Sequence, residues 1–219
     1  MTSFEFRDRL ARRTRRAKAP ISLAMLQPLE AYFQLLTLWN TKINLTSLPL
    51  DTPTDETFDR LLVEPLAAAK QIPTHVAAVW FDLGSGGGSP AIPLKIARPA
   101  LSLTMIESKE RKGAFLREAV RTLGLTETSV ETERFEVAAS NPAFKHTADF
   151  VTVRAVRTDD QLFNTAAAML KNGGRLLMFR PSHTFGADPK GFRRTVTLPL
   201  IDLPQSFLSV YQRVFHVEQ

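Results

Sequence analysis

The sequence predicts an α/β protein: a doubly wound, mostly parallel sheet, closed by an antiparallel strand pair and preceded by a helical N-terminal region. Three observations predict it. Val79-Trp80-Phe81 is a short apolar run that leads through Asp82 into Gly84-Ser85-Gly86-Gly87-Gly88, the order of a buried strand and a tight loop. A helical stretch from Ile92 to Ala97 and a second strand, Leu101 to Ile106, come next; Glu107 then stands nineteen positions after Gly88 (107 − 88), where nucleotide-binding βαβ units place an acid against a ribose. Helical and extended patterns go on alternating to Arg180, after which two extended segments follow each other with no helix between them.

With 219 residues, 44% of them hydrophobic and 23% charged, the chain can bury the core of one ordinary domain. Cysteine is absent, so no disulfide staples the fold and no thiolate acts as nucleophile or metal ligand. No apolar run approaches the ~18 residues of a membrane helix. The start is too rich in arginine and too poor in apolar residues for a secretory signal. A cytoplasmic monomer with no metal and no membrane contact is expected.

The net charge of +6 is concentrated at one end. Residues 1–20 hold Arg7, Arg9, Arg12, Arg13, Arg15, Arg16 and Lys18 against Glu5 and Asp8. Such a run is a solvated helix face, a tail, or a phosphate-binding arm; beside a nucleotide site, contact with a nucleic-acid backbone is favoured. The two acids and the lack of a clear apolar face argue against a targeting peptide.

Ser22 is placed to cap a helix whose apolar positions Leu26, Leu29, Phe33 and Leu36 recur at steps of three and four, ending near Trp39-Asn40. Thr41 to Thr46 leaves the helix as a surface turn, for which Asn40 and Asn44 are natural helix-end and turn residues. After Pro49 and Pro53 a second helix carries Phe58, Leu61, Leu62 and Leu66, with a bend near Pro65. The organisation expected is a basic arm at 1–20, a helical region at 21–73 and a cofactor-binding core at 74–219.

Beyond Glu107, a helix buries Ala114, Phe115, Ala119 and Leu123 and stops at Gly124. A strand around Val130 leads to Arg134-Phe135-Glu136 at the ligand-facing edge, where Phe135 either stacks on an adenine or fills core. Asp149 to Val153 is the next strand, and Arg154 at its end either pairs with a structural carboxylate or faces an anionic substrate. A helix through Leu162, Ala166 and Met169 meets the turn Lys171-Asn172-Gly173-Gly174, then a strand from Arg175 to Phe179 that ends at Arg180. The closing pair is Arg193 to Leu198 and Phe207 to Val217.

Gly86, Gly88 and Ala91 also satisfy the dinucleotide fingerprint, so NAD and S-adenosylmethionine both remain open. Asp82 favours the second, because a carboxylate at the loop repels a pyrophosphate and attracts an ammonium or sulfonium group.

Taken together, Leu38-Trp39-Asn40-Thr41-Lys42-Ile43-Asn44-Leu45-Thr46, Asp82 to Pro93, Arg134-Phe135-Glu136, Arg154-Ala155 and Gly173-Gly174-Arg175-Leu176-Leu177 resemble the bacterial RsmG (GidB) family. That family methylates N7 of a guanine in small-subunit (16S) ribosomal RNA with S-adenosylmethionine, on a Rossmann-like sheet. The resemblance implies a cofactor site at Asp82, Gly84, Ser85, Gly86, Gly88, Glu107, Ser108, Phe135 and Glu136. It implies that Asn40, Arg134, Arg154, Arg180 and Arg213 lie by an RNA-facing cleft, with Asn40 and Arg154 nearest the chemistry, and that the partner is 16S RNA or the small ribosomal subunit. The chain departs from the family where Leu61 replaces a histidine, Glu64-Pro65 an acid-serine pair, Arg180-Pro181 a lysine-glycine pair, and Glu107 an aspartate. An NAD(P)-dependent oxidoreductase and a non-catalytic ribosomal RNA-binding member of the same family are the alternatives.

Overall fold

A computed structural model describes residues 1–72, 77–181, 187–201 and 206–214. The expected boundary at 73/74 and the last residues of the final extended segment, 215–217, lie outside the described residues. The chain opens with α1 (Ser3–Arg16), started by a capping box in which the Thr2 hydroxyl accepts from Glu5 N and the Glu5 carboxylate accepts from Thr2 N. Contrary to the sequence reading, α1 has an apolar face. Phe6 and Leu10, one turn apart, are buried, and the Phe6 ring centroid lies 5.5 Å from that of Phe33 and 5.2 Å from that of Phe58. Its arginines turn toward neighbouring helices: Arg7 pairs with Glu30 (2.7 Å), Arg9 with Asp55 (2.6 Å), and Arg13 with Asp55 and Asp59. Much of the basic run therefore docks a helix instead of standing free for phosphates.

Helix α2 (Leu23–Asn40) buries Leu29, Tyr32, Phe33 and Leu36 along one stripe. The second helical segment is broken into α3 (Asp55–Phe58), a π turn at Asp59–Val63, α4 (Glu64–Ala68) and a 3₁₀ turn at Ala69–Gln71. Pro65 explains the irregularity. It has no N–H to return to the preceding turn, and the carbonyls of Arg60 and Leu61 accept from side chains elsewhere in the fold.

The sheet strands and their helices follow as β1 (Val79–Leu83), α5 (Ala91–Ala97), β2 (Ser102–Ile106), α6 (Glu110–Leu123), β3 (Thr128–Glu131), α7 (Phe135–Ala138), β4 (Ala148–Arg154), α8 (Asp160–Met169), β5 (Leu170–Arg180), β6 (Phe192–Pro199) and β7 (Phe207–Arg213). Their order is β3-β2-β1-β4-β5-β7-β6. The first five strands are parallel, β7 inserts antiparallel beside β5, and β6 closes the edge antiparallel to β7. The expected turn at 171–174 is instead an excursion within β5: Ala148 pairs with Leu170 and Phe150 already with Arg175. Gly173 takes φ +74° there.

Alternation along β1 assigns the two faces. Trp80 joins a core with Tyr32, Leu36, Leu62, Ile92 and Phe115, whereas Phe81 and Leu83 join Leu162, Met169 and Met178 on the other side. The N-terminal helices, α5 and α6 thus cover one face and α8 the other.

Candidate active site

In this strand order the carboxyl ends of β2, β1 and β4 stand side by side, and the direction of winding reverses between β1 and β4. Doubly wound sheets bind ligands in the crevice at that point. The glycine loop leaves β1 there, with Gly84 N and Ser85 N donating to Ile106 O at 2.8 and 3.2 Å and Gly88 N donating to Ser85 O at 2.7 Å. Gly88 is favoured by its left-handed φ of +83°, and a Cβ added there would also fall 2.5 Å from Ile92 Cδ1. Gly86, which lines the cavity, also takes a left-handed φ of +54°, but a Cβ there would meet nothing closer than Gly84 O at 3.7 Å.

A cavity of about 460 Å³ lies against this loop, within the size range of cofactor sites. Of the residues expected from sequence, it brings together Gly84, Ser85, Gly86, Glu107 and Arg154. Its opposite wall comes from Leu36, residues 45–48, Arg60 and Leu61 of the helical layer. Glu107 is buried, and its two oxygens accept from Gly86 N and Lys109 N, each at 2.8 Å. Each oxygen keeps a second lone pair for a hydroxyl.

Asp82 does not stand at the mouth of the loop, as its position in the sequence suggested. It is buried beneath it, at 1% exposure. The Thr152 hydroxyl donates to Asp82 Oδ1 and itself accepts from Trp80 Nε1 at 2.8 Å. Burial pushes the Asp82 carboxyl up to about 6, against the opposing hydrogen bond from Thr152. At neutral pH it is an anion held under the cavity floor.

Arg154 resolves toward the structural alternative. Its Nη2 donates to the buried Glu64 carboxylate, its Nη1 donates to Arg60 O and to Ser89 Oγ (3.1 Å), and its guanidinium lies 4.5 Å from the Phe179 ring centroid. Burial lowers its affinity for a proton and Glu64 opposes that shift. Ser89 Oγ donates to Leu61 O at 3.0 Å, so the carbonyls of Arg60 and Leu61, in the turn before Pro65, both fasten the helical layer to the sheet edge.

Asn40 is a positioning group. Its Oδ1 accepts from Leu45 N (2.9 Å) and Thr46 N (3.0 Å), fixing the turn whose residues wall the cavity. Tyr32, which sequence reasoning passed over, reaches from α2 to donate to Gly87 O at 2.6 Å. Burial raises its phenol well above the usual range. Ser108 and Arg134 are exposed on the flank, and Phe135 and Glu136 are half-buried in α7, Phe135 packing against the core around Phe81 and Ile106. None of these four lines the cavity as it stands. Arg180 ends β5 at the same sheet edge, opposite Phe207.

Arg213 does not belong to this site. Because β7 runs antiparallel, its end lies at the opposite sheet edge, where Arg213 Nη1 contacts His146 Nδ1 (2.9 Å) and Leu170 O. Arg60, Glu64, Ser89 and Tyr32 are the site residues not foreseen. Glu64 was signalled by its place in an apolar helix and by standing where the family has an acid-serine pair, and Tyr32 only as a hydroxyl on an apolar stripe.

Among the described residues no cluster of acids and histidines could hold a metal ion, and no helix is long and apolar enough to cross a membrane. A family model described as "GidB: rRNA small subunit methyltransferase G" matches residues 25–186. Among curated relatives, a ribosomal RNA small subunit methyltransferase G of Chloroflexus aggregans is 36% identical over 158 residues, 72% of this chain and 65% of that protein. Its counterpart in Xanthomonas axonopodis pv. citri is 34% identical over 177 residues, 78% of each chain. The match thus spans just under two thirds of the first relative and more of the second. A SAM dependent methyltransferase from Aquifex aeolicus shares the fold with TM-score 0.55 at 16% identity, covering 72% of this chain and 93% of that one. MtNAS, solved with MTA and tNA, does so with TM-score 0.61 at 14% identity, covering 88% and 75%.

Proposed function

Because the chain belongs to the GidB family of small-subunit ribosomal RNA methyltransferases, we propose that it methylates N7 of a guanine in 16S ribosomal RNA. It would use S-adenosylmethionine, in the cytoplasm, on free RNA or the small subunit. The observation that carries this reading is the cavity at the switch point, walled by the glycine loop with Glu107 and Glu56 in its lining and Asp82 buried at the end of β1 where the loop begins. Asp82 below the floor and Glu107 on the wall make a poor seat for a pyrophosphate and a good one for a cation attached to a ribose. The donor, when bound, supplies an electrophilic methyl group on a sulfonium centre.

The chain's own contribution is placement. Glu107 offers its remaining lone pairs to ribose hydroxyls, and its hold on Gly86 N keeps the loop in shape before anything binds. Leu36, Leu45, Leu48 and Leu61 line the helical side of the cavity and shed water from it. Guanine N7 is an unprotonated acceptor, so no residue has to remove a proton from it; what is needed is alignment. Arg154, tied to Glu64 and to Arg60 O, fixes the distance between the helical layer and the sheet edge across which RNA must enter.

The test is methyl transfer. Purified protein, small-subunit RNA or particles from cells lacking it, and labelled donor should yield one labelled guanosine that is cleaved by reagents specific for 7-methylguanosine. Label on another atom, or none, rejects the proposal.

A further inference from the structure

Among the described residues two arginines, Arg60 and Arg154, line the cavity, and they are not equivalent. Arg154 is committed to Glu64, Arg60 O, Ser89 Oγ and the Phe179 ring, with its side chain 12% exposed. Arg60 lies on the π turn, lines the cavity, and is 37% exposed. Its Nε stands 4.0 Å from Glu64 Oε1, beyond hydrogen-bond distance, and among the described residues that buried oxygen has no hydrogen-bond partner. Arg60 is thus held near a buried anion by charge alone, it lines the cavity, and no described residue accepts a hydrogen bond from its guanidinium.

We infer that Arg60 is the specificity-determining donor to the target base, contacting guanine O6, while Arg154 positions it through Glu64 and through the Arg60 carbonyl. This rests on the guanine-N7 reading above. The chemistry is that of the guanine edge. N7 and O6 are neighbouring acceptors, and an arginine ordinarily spans both; with N7 reserved for the incoming methyl, O6 is what remains for a donor beside it. Adenine presents an amino group in that place, so a guanidinium aimed there meets donors with donors and rejects the wrong purine. The arrangement has a second consequence. Glu64 has one oxygen held by Arg154 and one spare, so it restrains Arg60 along the approach path without consuming the hydrogen bonds the base would use.

The experiment is a double-perturbation cycle. Wild type, Arg60→Met and Arg60→Lys are assayed for methyl transfer on small-subunit RNA carrying either guanine or 6-thioguanine, a weak acceptor at position 6, at the mapped target. Arg60→Met should lower kcat/KM by about 10- to 100-fold, the scale of one well-placed base contact. S-adenosylhomocysteine affinity should stay within about twofold. The 6-thioguanine substrate should slow wild type comparably and slow Arg60→Met no further, and Arg60→Lys should recover part of the loss. If the two losses multiply, or Arg60→Met transfers methyl normally to guanine, the assignment is wrong. Should Arg60→Met fail to fold, Arg60→Lys carries the same cycle. If wild type modifies no guanine at all, the N7 reading falls and takes this inference with it.

Discussion

Asp82→Asn separates stability from donor binding. The folded carboxyl holds its proton up to about pH 6, where an ordinary aspartate holds it to 3.8. Between those values the folded state carries more protons than the unfolded chain, so stability falls as pH rises from about 4 to about 6 and stays lowered above. Two units correspond to about 3 kcal/mol. Asparagine keeps an oxygen for the Thr152 hydroxyl and carries no charge, so the variant should be more stable than wild type at pH 7.5. At 2–4 °C per kcal/mol the ceiling is roughly 6–12 °C in Tm, and an imperfect amide fit will leave a part of that. The advantage should vanish near pH 4, where the native carboxyl is also neutral. Affinity for S-adenosylmethionine should drop at the same time, because the amide no longer attracts the donor's cationic centre. Thermal melts across pH with calorimetric titration of the donor read both. A variant that melts no higher than wild type at pH 7.5, or binds the donor as tightly, refutes the role assigned to this buried anion.

Gly88→Ala must place a Cβ against Ile92 at φ +83° and should cost about 2–4 kcal/mol in urea unfolding, whereas Gly86→Ala, at φ +54° with no atom closer than 3.7 Å, should cost about 1 kcal/mol of backbone strain and also weaken donor affinity. Tyr32→Phe leaves the Gly87 carbonyl without its 2.6 Å donor, and a loss of about 1–3 kcal/mol is expected by chemical denaturation, with looser donor binding. Arg213→Ala should lower Tm slightly through its contacts with His146 and Leu170 and leave methyl transfer within about twofold of wild type.

What the sequence made legible was local. The β1, glycine loop, α5, β2 and Glu107 series is written in contiguous residues, and both its periodicities and its turn are present in the structure. What it hid is long-range. Glu64 and Arg154 are 90 positions apart and Tyr32 and Gly87 55, so no spacing announces either contact. The face of α1 was missed because two apolar residues, Phe6 and Leu10, stand among a run of arginines, and the acids that neutralise those arginines lie on other helices. Arg213 was within reach of reasoning. An antiparallel return strand entering at the ligand edge has to leave at the far one, and Arg213 sits at its exit.

The missing amide of Pro65 ends in an architectural constraint. It leaves one carbonyl of its own turn without a backbone donor, and the carbonyls of Arg60 and Leu61 are tethered to Arg154 and Ser89, so the cavity wall has no existence apart from the leading helices. A truncated protein starting after residue 76 would strand a guanidinium with neither its acid nor its carbonyl, and would also deprive Gly87 of its phenol. Anyone trimming this protein to a minimal donor-binding unit should expect to need the first seventy residues, and mutations there should surface as defects in donor binding.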